Sequence, residues 1–216
     1  MNWRVACIVW GLVAAAPAQT YIVDGANGPG TNFPDIASAI QAVPDGAVLR
    51  VRPGNYGAFF IDGKGLTVLA DPGAQLTAFL GPSVANLSPQ QRVVIRGFVM
   101  TSFFGSAGTV IVNVQNCLGP VALEGLSVST GSHRLVVQQC ASVSARGCLY
   151  HSAAFTFGSD VTLTDCTFAP SSFPGVIGQQ GGRVQLTNTH LASIATSGPA
   201  GPCVTMTGGD LRVLGT

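Results

Sequence analysis

The chain has 216 residues, of which 47% are hydrophobic and only 9% charged, and its net charge is +1. Charge this sparse leaves no basic patch to displace counterions from a phosphate backbone, which excludes a nucleic-acid partner. The length suits one domain with a sizeable core.

Arg4 precedes an apolar run from Val5 to Ala16, and Ala16-Pro17-Ala18 is a small-x-small site. This pattern predicts a signal peptide over residues 1–18 and a secreted chain, extracellular or at the cell surface, over 19–216. The run is too short to span a bilayer, and no other segment is long and apolar enough to do so. Cys7 falls in the leader, which leaves the odd set Cys117, Cys140, Cys148, Cys166 and Cys203. None has zinc-ligand spacing, so neither metal nor cofactor is expected.

Thr20 to Asp24 reads as a first strand and Gly25 to Gly30 as a glycine-rich loop. A short helix follows. Asn32 stands near its start, Pro34 suits its first turn, and Ile36, Ile40 and Val43 share one face. Pro44-Asp45-Gly46 closes it, and Ala47 to Arg52 is the next strand. Further strands are expected at Leu66–Leu69, Val93–Ile95 and Ile111–Val114. Loops are expected at Gly81–Gln91, Thr101–Gly108 and Ser171–Gly182.

The second half repeats one phrase. It runs from Ile111 to Cys117, Leu135 to Cys140, Val161 to Cys166, Val184 to Thr189 and Leu211 to Thr216, with steps of 23, 26, 23 and 27 residues. That period predicts a parallel β-helix, a solenoid whose coils stack on one another. Alternation puts Leu135/Val137, Val161/Leu163, Val184/Leu186 and Leu211/Val213 inside. Asn116, Gln139, Asp165 and Asn188 follow at a turn that needs a left-handed backbone. Cys117, Cys140 and Cys166 then return to the interior. They form either a buried thiol ladder or, on stacked coils, bridges.

Arg134, Asp160, Arg183 and Asp210 precede successive strands, which predicts one line of alternating charge. Glu124 and Arg146 should be neighbours as well. The functional reading is a carboxylate–arginine site, with Glu124, Arg146, Asp160, Asp165 and Arg183 as its candidates. The structural reading is a ladder that fixes register. The chain stops in mid-strand at Thr216, so either the natural protein is longer or this uncapped coil pairs end to end with another chain.

Phe33 to Gly46, then Val51-Arg-Pro-Gly-Asn-Tyr56, then Gly65 to Leu69, resemble the opening of pectin-lyase-like right-handed parallel β-helix proteins, in the style of pectin methylesterases. The resemblance implies an all-β, single-stranded right-handed parallel β-helix with an N-terminal capping helix. The catalytic motifs of pectin methylesterases are missing. Gly57 and Ala58 follow Tyr56, and Ala154 stands where an aspartate is wanted before Phe155-Thr-Phe-Gly158. In Asn188-Thr189-His190, histidine replaces the aspartate of a polygalacturonase-type cluster.

Two functional readings follow. One is a secreted, non-catalytic β-helix module that is structural or contacts polysaccharide. The other is a carbohydrate-active enzyme of the polysaccharide lyase or pectinesterase class.

Overall fold

The computed structural model describes residues 18–78, 80–102, 109–130, 132–156, 158–169, 177–191 and 204–215. The expected leader, apart from Ala18, lies outside them, as do Cys203 and most of the expected loops at Thr101–Gly108 and Ser171–Gly182.

Every described strand pairing is parallel, and strands join each sheet in chain order. The arrangement is that of a parallel β-helix. The longest sheet has nine strands, from Thr20–Val23 and Val48–Val51 to Arg183–Thr187 and Asp210–Leu214. A seven-stranded sheet starts at Phe60–Asp62 and Leu80–Ala85 and ends at Val204–Thr207. The third side is shared. A four-stranded sheet begins at Gly54–Tyr56, and a three-stranded one takes over at Leu149–Tyr150.

Stacking in register builds the core. Leu49, Val68, Ile95, Leu123, Ala145, Leu163 and Leu186 lie one above another and are all buried. Ile61, Val84, Val114 and Val137 form the facing row. Each fully buried aliphatic side chain contributes roughly 1.5–3 kcal/mol. Leu135/Val137, Val161/Leu163 and Val184/Leu186 point inward as the alternation requires. Leu211 and Val213 occupy the equivalent positions of the last described rung but are exposed.

Two corners of each coil carry left-handed residues. Asn86, Asn116 and Gln139 (φ 57°, 54° and 52°) leave the seven-stranded sheet, whereas Asp165 and Asn188 (φ 53° and 48°) leave the nine-stranded one. The repeated phrase occurs at both corners. Both corners end a strand with a polar left-handed residue and then a small inward one, so their phrases look alike. Two corrections follow. Cys166 does not stack on Cys140; Cys117 stacks with Cys140, and Cys148 with Cys166. Arg134 belongs to the seven-stranded sheet, between Ile111 and Ser152, and is not in line with Asp160. True coil lengths also vary more than the repeat implied: Thr162 lies 18 residues beyond its partner Ser144, and Ala122 lies 28 beyond Val94. Gly81 to Ala85 and Ile177–Gln180, read as loop, are strand.

The helix spans Ile36–Ala42 and packs Ile36, Ala39 and Ile40 into the core. Asp35, not Asn32, is its N-cap, accepting from Ser38 N at 2.8 Å. Asn32 instead accepts from Ile22 N at 2.7 Å and fastens the first strand. Lys64 holds the other end, donating to the carbonyls of Ile40 (2.7 Å) and Val43 (2.9 Å). A cation suits the negative end of a helix. Nearby, buried Asp24 pairs with Arg52 at 3.0 Å and accepts from Ala26 N and Gly28 N. Tyr56 donates to the Arg52 carbonyl at 2.9 Å and accepts from Gly25 N, which ties the Pro53-Gly54-Asn55-Tyr56 turn to the glycine loop.

Lys64→Met should lower unfolding free energy by about 1.5–3 kcal/mol, the range for hydrogen bonds involving a charged group, in a denaturant melt. A second prediction concerns acid. The amide of Ala26, and then the Arg52 side chain, hold the Asp24 carboxyl below its ordinary 3.8. Its contribution is therefore present above that value and is lost as pH falls through the lower folded one. Asp24→Asn should be less stable than the parent at neutral pH, and the gap should close below pH 3.8, as read by melts across the acid range.

Candidate functional site

The five sequence candidates divide between the two ends of the nine-stranded sheet. At the C-terminal end of its strands, Glu124 is flanked by Arg96 and Arg146 in register. Arg96 Nε donates to Glu124 Oε2 at 2.6 Å, and a second guanidinium nitrogen contacts the same oxygen. Arg146 Nε lies 3.6 Å from Asp165 Oδ2, and Asn188 Nδ2 donates to Asp165 Oδ1 at 3.3 Å. The row therefore runs Arg96, Glu124, Arg146, Asp165, with alternating sign.

Asp160 and Arg183 sit together at the opposite end of their strands. Arg183 N donates to Asp160 Oδ1 at 3.1 Å, their side chains stand 4.0 Å apart, and Asp210 follows in register. One strand length, roughly 13 Å, separates this pair from Asp165. The five do not form one site. Arg96 was missed because its rung is 28 residues from that of Glu124 and carries no copy of the repeated phrase. Each candidate carboxylate already faces a guanidinium, and both clusters are solvent-exposed ladders of the kind worth at most about 1 kcal/mol per pair.

Of the histidines whose side chains are described, His190 is exposed beside Thr167, and burial lowers the pKa of His151. Among the described residues no group of three or more His, Cys, Asp or Glu side chains could hold a metal ion.

A different feature has the shape of a binding site. An open groove of about 470 Å³ runs between the helix and the start of the seven-stranded sheet. Ala37 and Gln41 line it from the helix, with Ala58, Phe59, Phe60, Leu80, Gly81, Ser83 and Asn113 from the strands and their approaches. Phe59 points inward, so its neighbour Phe60 must point out; it is 49% exposed, and Leu80 is 52% exposed. Phe60, Ser83 and Asn113 are stacked in register, so one aromatic face continues into a hydroxyl and an amide. An apolar ring face with a few polar groups beside it is the usual make-up of a small-ligand site. The signal was present in the sequence as adjacent phenylalanines at the start of a strand, of which only one can enter the core.

No protein-family model matches this sequence, and no curated protein matches it. Among solved structures, the chain is similar to the pectin methylesterase of Aspergillus niger in deglycosylated form. The TM-score is 0.43 and the identity 11%, over 94% of this chain and 87% of that one. A penultimately deglycosylated form of the same enzyme matches with TM-score 0.38 and 13% identity over the same shares.

Arg146→Glu would set like charges beside Glu124 and Asp165. It should lower the melting temperature by an amount equivalent to about 1 kcal/mol or less, and 1 M salt should close most of the gap. A melting temperature unchanged at low salt would remove the ladder's structural role.

Proposed function

We propose that this chain is a secreted, non-catalytic right-handed parallel β-helix module, extracellular or at the cell surface, that contacts polysaccharide. The mature domain is residues 19–216, and the helix Ile36–Ala42 caps its N-terminal end. One observation carries the reading: among the described residues lining the groove, none has an ionisable side chain. Lyase or esterase chemistry needs a general acid or base within reach of the bond being broken, and a hydroxyl such as that of Ser83 is a weak nucleophile without one. The candidate carboxylates Glu124, Asp160 and Asp165 lie outside the groove and face arginines. A pyranose ring, by contrast, can lay its C–H face on Phe60 while its hydroxyls meet Gln41, Ser83 and Asn113.

The test is retention of the purified chain on a panel of plant, algal and bacterial polysaccharides, with reducing-end and unsaturated-product assays on the same samples. Retention without product is expected. Phe60→Ala should weaken retention by up to about tenfold, the worth of one aromatic contact, with its melting temperature kept. Product above background would establish the enzyme reading instead. Retention indifferent to Phe60→Ala would remove the groove from the account.

A further inference from the structure

The interior holds four described cysteines, all buried and all in the thiol form. They stand in two columns, one at each corner. Ala141 N donates to the Cys117 carbonyl at 2.8 Å, and Thr167 N donates to the Cys148 carbonyl at 2.9 Å. These bonds place Cys140 on the rung next to Cys117, and Cys166 on the rung next to Cys148. Neighbouring rungs lie about 4.8 Å apart, inside the Cα separation that a disulfide accepts.

The columns continue past the cysteines with hydroxyls. Ser159 follows Cys140, and Thr189 follows Cys166. Thr189 Oγ1 donates to the carbonyl two residues back at 3.1 Å, as Cys140 Sγ does to Gln138 O at 3.1 Å and Cys166 Sγ to Thr164 O at 3.4 Å. A hydroxyl therefore fills the corner and satisfies its carbonyl as a thiol does. Packing and hydrogen bonding alone do not call for sulfur here. What cysteine on two adjacent rungs adds, in both columns, is the ability to join.

We infer that Cys117/Cys140 and Cys148/Cys166 are two oxidisable dithiol sites, each able to close into a disulfide that staples neighbouring rungs, with a small-molecule disulfide as the oxidant. Within each pair the neighbouring thiol draws one member down, to about 7 for Cys117 and Cys148, and with burial pushes its partner up. One member of the pair attacks as the thiolate. It displaces one thiol from the oxidant and forms a mixed disulfide. The second protein thiol gives up its proton, attacks the protein-bound sulfur and expels the other half. The protein loses two electrons and two protons, and the small disulfide leaves as two thiols. Burial confines the exchange to folding or to opening of the corner.

The full chain carrying Cys7→Ser and Cys203→Ser would be equilibrated with mixtures of reduced and oxidised glutathione, both folded and during refolding. It would then be quenched, alkylated and peptide-mapped without reduction. The expected result is a mass lower by two hydrogens per pair, linked peptides 117–140 and 148–166, and a melting temperature above that of the reduced form. Adding Cys140→Ser, which copies the hydroxyl next in its column, should leave only the 148–166 link. Four alkylated thiols at every glutathione ratio, or links running between the columns, would overturn the proposal.

Discussion

Everything in this molecule depends on one constraint: each rung must lie in parallel register on the next. The backbone groups of a rung are satisfied only by its neighbours, so a residue's environment is set by what occupies the same position one coil away. Leu163 is buried because Ala145 and Leu186 are its neighbours as much as because it is leucine. The same constraint acts on the corners. A coil can leave a flat sheet and return above itself only through a tight backbone turn, and Asn, Asp and Gly take that turn at small steric cost. The residue after it points into a narrowing interior, where a small side chain with a donor both fits and satisfies a stray carbonyl. Cys140 and Thr189 are two solutions to one problem, and Ser159 stands at the same corner as Cys140, accepting from its amide.

Charge on such a stack becomes organised without any catalytic demand. An outward arginine is met by whatever stands on the next coil, and unlike charges are the arrangement that does not strain the register. Arg96, Glu124, Arg146 and Asp165 satisfy that condition in sequence. The groove at Phe60 arises differently. It lies where the helix meets the first strands of the seven-stranded sheet, so that its walls belong to two kinds of element and cannot close on each other as stacked rungs do. Concavity appears where the repetition begins, and the ladders occupy the part where repetition is regular.

The parallel architecture was legible in the sequence because alternation and period are local properties of the strands. Val161, Leu163, Val184 and Leu186 declared their inward face, and Asn116, Gln139, Asp165 and Asn188 declared their left-handed turns. The phase of the coils was not legible. Asn116-Cys117 and Asp165-Cys166 obey the same local rule at different corners, and nothing local distinguishes them. That ambiguity displaced Arg134 from its sheet and Cys166 from its column. Arg96 and the Phe60 groove were hidden for a related reason: both depend on which rung lies alongside, and there the coils are too unequal to align by eye.

Unequal coils also have a consequence for how the chain finds this shape. Every long-range strand pairing joins one rung to the next, so the loop that must close is one coil, whatever the total length. Between the 18-residue coil at Ser144–Thr162 and the 28-residue coil at Val94–Ala122, the difference in closure entropy is about 0.4 kcal/mol. The assembly is therefore nearly indifferent to where its extra residues are placed. Growth can begin at any well-packed pair of rungs and spread outward, and a corner can gain or lose several residues while the frame it decorates assembles much as before.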